Sequence, residues 1–433
     1  MLGIAAAIEL AGAGREVTIF EAGPALGGLT APWSIGDVTW DRYYHVTLAS
    51  DRHTRSLLAR AGVDAQFQPR ATSTGYWDGC EVHRVDTVRE FLALPGLSRL
   101  AKLRIGATIA VNARRTDWRR IERVTVDRWL QRWSGRAAFD RFWSAQLRAK
   151  LGSEHHDVAA SFLWATFRRL DGARRGLERR EQMGYVRGGY GTTIAGLTDA
   201  LRVAGVEVVL DSPVITLTDR EGSVVVSSSS GALEFDDVVV TLAAPLAADL
   251  VAPLDSTAAA ALRAVRTMGV VCASAVFERP ISQHYLTYLA APSPLTAVVD
   301  MSALVDTDDL GGRGLVYLPR YVASDDPLFE RSDEELEAEW LTSLHSIYPD
   351  LGSNSLVGFA VARARHVFAV PGVRYSERVP PLTIAGDRVH VVSSAHLVHA
   401  TLNVDETVSL GTWAARELID RGRIERDRLL ARS

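Results

Sequence analysis

A chain of 433 residues is longer than one hydrophobic core usually supports, so about two domains are expected. A composition that is 47% hydrophobic and 23% charged excludes intrinsic disorder, and a net charge of −4 excludes a global electrostatic pull toward nucleic acid or anionic lipid. Two cysteines, Cys80 and Cys272, exclude a disulfide framework or a thiolate metal cluster; a single bridge is one reading, and two buried or half-buried thiols in a reducing cytoplasm is the plainer one.

The opening, MLGIAAAIELAGAGREVTIFEAGPALGGL, places Ile4, Ala7, Ile8 and Ala11 on one helical face, and Gly14 stops that helix. "EVTIF" (16–20) then reads as a buried strand. A short helix followed directly by such a strand implies a parallel βαβ unit, whose other strand must come from elsewhere. Residues 86–185 carry Trp118, Trp129, Trp133, Trp143 and Trp164 within helical patterns, and "RVTVDRWLQRW" and "RFWSAQLRAKLG" read as amphipathic helices. These tryptophans fit a core first and the lining of an apolar pocket second. The basic stretch "RRLDGARRGLERR" (168–180) reads as a solvated helix end or connection, with a face toward an anionic ligand or lipid as the alternative.

Further on, Gly188, Gly189 and Gly191 predict a turn, and Thr192 begins a helix carrying Ile194, Leu197 and Leu201 that Gly205 ends. "VEVVL" continues as a strand, and "SVVVSSSSGALEFDDVVVTLAAP" reads as a hairpin or meander finishing in a buried strand, Val238 to Leu242. The apolar run from Val238 to Leu254 is broken by Pro245, Asp249 and Pro253, so it predicts no membrane span, while peripheral membrane contact stays open. "GVVCASAVF" and "GLVYLPRYV" alternate as strands, and "SDEELEAEWLTSLHSIY" is a helix. The last unit is a strand, "RVHVV" (388–392), then a loop and helix, "SSAHLVHATLNVDETVSLGTWAAREL". Nucleotide-fold signals therefore occur in three separate places, which predicts two discontinuous domains.

An acidic residue ending the second strand of a dinucleotide fold accepts hydrogen bonds from the adenosine ribose. Glu21 stands there, 18 residues after Gly3, close to the roughly 20 that such a fold places between its glycine loop and the acid. A solvated strand end is the competing reading. Directly after the acid come Gly23, Pro24, Gly27, Gly28 and Thr30, whose paired glycines let backbone amides approach a bulky ligand.

"VTIFEAGPALGGLT" resembles the second half of the FAD-binding fingerprint of the flavin amine oxidase superfamily, in which E-A-x-x-x-x-G-G follows the ribose acid. That superfamily includes monoamine oxidases, protoporphyrinogen oxidases and carotenoid desaturases, with UDP-galactopyranose mutase more distant. "MGYVRGGYGTTIAGLTDALRVAGVEVVLDSPVITL" resembles its G-G-x-x-x-L-x-x-x-L helix and following strand, and "LNVDETVSLGTWAAREL" its final helix. "WDRYYHV", "LRAKLG", "GVVC" and "LVYLPRY" are similar to bacterial protoporphyrinogen-oxidase-like proteins. The resemblance implies a Rossmann-like α/β FAD domain with a parallel sheet, from residues 1–65, 186–267 and 385–433, and a mixed α+β substrate domain from 66–185 and 268–384. It implies noncovalent FAD held by Gly3, Glu21, Ala22, Gly27, Gly28, Leu29, Thr30, Arg42, Val214, Asn403 and Val404, and hydride transfer from a small organic substrate. The N-terminus of the final helix would favour an anionic reduced flavin.

Three departures stand out. The first strand and its G-x-G are absent, so an upstream extension of about 10–20 residues and weak FAD retention without it are expected. Leu29 replaces an arginine common in amine oxidases, and "VVSSAHLVHA" stands where many members carry A-G-Asp/Glu. A sugar-nucleotide mutase-like isomerase, or a non-enzymatic descendant with impaired FAD binding, are the alternatives. For catalysis, His45 is a proton acceptor or flavin contact, against a packed or surface histidine. Arg42 meets phosphate or substrate, against a surface pairing with Asp41. Lys150, one of two lysines, is a substrate-pocket group, against a helix-ending cation. His155–His156 and His396/His399 show no carboxylate or thiol companion in the sequence, so no metal is expected.

Overall fold

The computed structural model describes residues 1–175, 180–352, 356–384, 386–398 and 400–430. Its first helix, Leu2–Gly12, buries Leu2, Ile4, Ala5, Ala6, Ala7 and Ile8, so nearly its whole circumference is covered. Alanines suit that position because backbone approaches from both sides. A Cβ at Gly411, in the last helix (Val404–Leu430), would lie 2.4 Å from the Leu2 carbonyl oxygen, and one at Gly3 would lie 3.3 Å from Thr241 Oγ1.

The strand after this helix, Thr18–Phe20, pairs in parallel with Glu207–Val209 in the register Thr18↔Glu207, so it gains a parallel neighbour from a distant segment that itself follows the helix Gly189–Val203. A second parallel pair joins Val238–Val240 to Val389–Val391, with Thr383–Ile384 antiparallel at its side. Between them the meander is observed as three antiparallel strands, Val214–Arg220, Ser223–Ser228 and Gly231–Phe235. The helix expected to start at Thr192 starts at Gly189 instead. Gly188 (φ +75°) and Gly189 (φ +68°) take the left-handed turn, so Gly191 is already helical.

A seven-stranded mixed sheet forms the other half. Its order is Leu356–Ala369, Thr267–Phe277, Gly314–Ala323, Ala297–Asp300, Leu286–Leu289, Thr74–Trp77 and Val82–Arg84. The strand Thr267–Phe277 is buried on both faces, so its sequence is a continuous apolar run and the expected alternation has no polar side. Side chains two apart still sort by face. Met268, Val270, Cys272 and Val276 enter a core with Trp129, Trp143 and Trp164, while Val271, Ala273, Ala275 and Phe277 meet Trp340 and Leu344. The first core is covered by Arg99–Ala113, Val126–Ser134, Ser144–Leu151 and Ala160–Ala173, so the tryptophans are core residues. The second is capped by Asp333–Ile347, started by a capping box between Ser332 and Glu335.

Trp340 is fully buried, and among the described residues its Nε1 has no hydrogen-bond partner. Trp340→Ala is expected to cost about 3–5 kcal/mol through the cavity it leaves. Trp340→Phe removes the unpaired donor and is expected to lose much less. Denaturant midpoints of the two variants check this, and equal losses would contradict it.

Candidate functional site

Glu21 ends the strand Thr18–Phe20 on the carboxyl side of the first parallel pair. Its Oε1 accepts the Gly23 N–H at 2.8 Å, and among the described residues no hydrogen bond engages Oε2. Its backbone is tied across: Glu21 N–H donates to the Val209 carbonyl, and Ser212 N–H donates to the Glu21 carbonyl. Asp211 N–H donates to the Gly23 carbonyl, with Asp211 itself at φ +51°. These bonds bring Ser212, two residues before the strand that begins at Val214, onto the backbone of the acid, although 191 residues separate Ser212 from Glu21. An acceptor oxygen at the carboxyl end of a parallel strand pair fits ribose hydroxyls, so this end of the site suits an adenosine group.

The paired glycines differ in role. A Cβ at Gly27 (φ +129°) would lie 2.7 Å from Ile194 Cδ1 and 3.2 Å from the Ala31 backbone, so this glycine serves close packing of the loop on the helix Gly189–Val203. Gly28 (φ +59°) has open space on its Cβ side. Thr30 is buried with its hydroxyl donating to the Gly27 carbonyl at 2.9 Å, and Leu29 packs on the edge of the tryptophan core.

In the segment 39–48 the alternative of a surface pairing between Asp41 and Arg42 is not observed. Asp41 is 1% exposed and is not partnered by Arg42. Its Oδ1 accepts the Tyr190 N–H at 2.8 Å, and burial pushes its carboxyl up to about 8. Arg42 is exposed, its guanidinium 5.9 Å from the Trp33 ring centre. His45 donates from Nδ1 to the Tyr43 carbonyl at 2.8 Å, since a carbonyl can only accept. Burial lowers its imidazole to about 4, so it is neutral at pH 7 and does not titrate near working pH. Its ring lies edge-on to Tyr190, 5.5 Å between centres.

Lys150 ends its helix, but it also faces inward. Its Nζ is 3.3 Å from the Tyr321 ring centre and 5.3 Å from that of Phe368. The Tyr321 hydroxyl hydrogen-bonds the Tyr44 hydroxyl at 2.8 Å. Burial lowers the Lys150 pKa, with the Tyr44 phenol acting weakly the other way. Lysine, two phenols and Phe368 thus form a polar point in an aromatic wall that also includes Cys272 on the tryptophan-core side of its strand. Neither Tyr321 nor Phe368 was legible as a site residue, because strand alternation marks burial and not what a ring faces.

Asn403 caps the last helix: its Oδ1 accepts the Glu406 N–H at 3.0 Å, so its side chain is already engaged. Val404 begins that helix and packs with Leu26, Tyr190 and Ile194, which places the helix start beside the glycine loop. The first turn carries two acids. Asp405 accepts the Thr54 N–H at 2.8 Å, and burial pushes Glu406 upward. The helix dipole is therefore partly countered by Asp405.

Two other expectations are corrected. Cys80 and Cys272 are both free, but Cys80 is exposed. His155–His156 do have a carboxylate companion, Asp127, which the chain brings from 28 residues away. His399 lies outside the described residues, as do residues 176–179 of the basic stretch; His396 is engaged with the Ser393 backbone.

The sequence profile described as "Flavin containing amine oxidoreductase" matches residues 3–390. The chain belongs to this family. It is an FAD-dependent oxidoreductase. No curated protein sequence matches the chain. Solved structures share the fold at low identity. One is a protein from Exiguobacterium sp. 255-15 provisionally named a protoporphyrinogen oxidase, with TM-score 0.76, 16% identity and 97% of each chain covered. Another is cyclohexylamine oxidase from Brevibacterium oxydans IH-35A, with TM-score 0.69, 17% identity, and 98% of this chain and 97% of that one covered. Reduced UDP-galactopyranose mutase has TM-score 0.74 and 12% identity, covering 96% of this chain and 91% of that one. Among the described residues no helix is long and apolar enough to cross a membrane.

Proposed function

We propose that this flavin amine oxidoreductase binds FAD noncovalently between Glu21 and the start of its last helix, and oxidises a small organic substrate held against Lys150, Tyr44 and Tyr321. The observation that carries the reading is the Glu21 carboxylate, placed at the end of a parallel strand with one oxygen not hydrogen-bonded among the described residues. Glu21, Ala22 and Val214 would hold the adenosine end, Gly3 would let the first helix pack closely behind it, and Gly28, Leu29, Thr30, Asn403 and Val404 would hold the flavin end. Arg42, exposed beside this loop, would meet a phosphate. When bound, the isoalloxazine accepts hydride, and the protein supplies position and proton handling.

In this reading residues 1–65, 186–267 and 385–433 form the cofactor domain, and 66–185 with 268–384 the substrate domain. His45 presents an unprotonated Nε2, because its proton sits on Nδ1. It serves as an acceptor toward the flavin edge and not as a titrating base. Lys150, whose proton is made easier to lose by burial, gives or takes a proton at Nζ. The free thiols accord with a reducing, cytoplasmic setting. Peripheral membrane contact remains part of the reading as a secondary feature.

Reconstitution tests the cofactor half. The chain is titrated with FAD by flavin fluorescence and then denatured in acid. FAD that binds and returns to the supernatant supports the reading; refusal of FAD, or flavin retained by the precipitate, overturns it. Lys150→Met tests the substrate half. Anaerobic flavin reduction by a panel of primary amines, beginning with cyclohexylamine, is expected to slow at least tenfold with flavin content unchanged. Loss of the pH-dependent limb of the parent's profile should accompany it; an unchanged rate and profile would remove Lys150 from the mechanism.

A further inference from the structure

A second cluster of chemically capable side chains lies apart from the flavin site. Asp127 sits in the first turn of the helix Val126–Ser134, largely buried. Its Oδ1 is 3.0 Å from His155 Nδ1, and its Oδ2 is 2.7 Å from His156 Nδ1. The two histidines end the tight turn Gly152–His156, and their ring centres are 3.8 Å apart. His155 is 3% exposed, whereas the His156 side chain is 71% exposed. The three potential ligand atoms, two imidazole nitrogens and one carboxylate oxygen, all lie within 4.8 Å of one another.

We propose that Asp127, His155 and His156 bind one divalent transition metal of the zinc class. Two nitrogens and a carboxylate oxygen form a donor set that favours zinc and its first-row neighbours over magnesium or calcium, which take oxygen. Ligands about 2.0–2.2 Å from a tetrahedral zinc stand roughly 3.3–3.6 Å apart. The observed spacing is therefore close to what one ion would require. His156 is the informative member. Water could satisfy an exposed imidazole, yet this one turns back to a carboxylate already engaged by its neighbour. Binding at Nδ1 requires each imidazole to carry its proton at Nε2 or release it, which makes uptake weaker in acid. His156 also leaves one side of the site open to water, so the fourth position would be solvent.

The site would work as a clamp. It fastens the turn 152–156, which directly follows the helix bearing Lys150, to the start of the helix Val126–Ser134. Val126 N–H already donates to the Val158 carbonyl at 2.8 Å, so the two segments are held in place before metal arrives. Pre-organisation of this kind lets a three-ligand site bind without a large ordering cost.

The test is calorimetric titration of the full chain, stripped with chelator, using Zn²⁺ alone. One ion per chain with a raised thermal midpoint is expected. His156→Ala, at a position exposed enough to leave the fold intact, and Asp127→Asn are each expected to weaken that binding at least tenfold. Absence of a stoichiometric event in the parent, or unchanged affinity in His156→Ala, would overturn the assignment.

Discussion

Replacing Glu21 with alanine is expected to weaken FAD binding by roughly ten- to a hundredfold. Hydrogen bonds to an ionised group contribute about 1.5–3 kcal/mol, and the carboxylate is the acceptor that this chain offers at the end of its first strand pair. Glu21→Gln keeps an oxygen for the Gly23 N–H but loses the charge, so it should fall between parent and alanine variant. The measurement is a fluorescence titration with FAD, run beside thermal midpoints that separate binding from folding. The parallel strand register and the backbone bonds to Val209 and Ser212 do not use the side chain, so the local structure should persist. An alanine variant that binds FAD as tightly as the parent would mean that Glu21 is a solvated strand end.

Replacing Asp41 with asparagine is expected to reverse the order of stability between variant and parent as pH rises. In the folded chain burial pushes the Asp41 carboxyl up to about 8, whereas an unfolded aspartate titrates near 3.9. Between those values the unfolded chain has released the proton and the folded chain still holds it. Stability then falls as pH rises, by about 1.4 kcal/mol per pH unit for this one group, and the fall is complete above pH 8. Its contribution is fully present below about pH 4. Asparagine accepts the Tyr190 N–H in the same way and has no proton to lose, so its curve lacks this slope. Asp300, pushed up to about 7 by burial, slopes both curves equally, and the difference between them isolates Asp41. Urea midpoints at pH 5, 6, 7 and 8 decide it. Parallel curves would show that Asp41 is ionised in the folded protein. The same buried acid explains Gly189, where a Cβ would come within 2.8 Å of Asp41 Oδ1.

Much of the cofactor half was legible because its signals are local. Helix, strand, acid and paired glycines follow one another within 30 residues, and each needs only its own backbone conformation to be recognised. The strand beginning at Val389 and the helix beginning at Val404 were found in the same way, from runs bounded by turn residues. The boundary errors are small and have local causes: the helix expected at Thr192 begins three residues earlier because Gly188 and Gly189 can both adopt positive φ.

What the sequence by itself determined is therefore the family and the class of cofactor, and it singled out Glu21 as the candidate acid, since these depend on patterns within single segments. Only the tertiary structure decided which distant groups meet. It set Ser212, two residues before Val214, against the Glu21 backbone, and Lys150 over Tyr321, which lies 171 residues further along the chain. It joined His155 and His156 to Asp127, and it buried Asp41, which one reading of the sequence pairs with Arg42 at the surface. Burial is a property of everything packed around a group, and it is the largest cause that moves Asp41 toward 8 and His45 toward 4. No spacing along the chain carries that information, because the desolvating neighbours come from strands and helices far away in sequence.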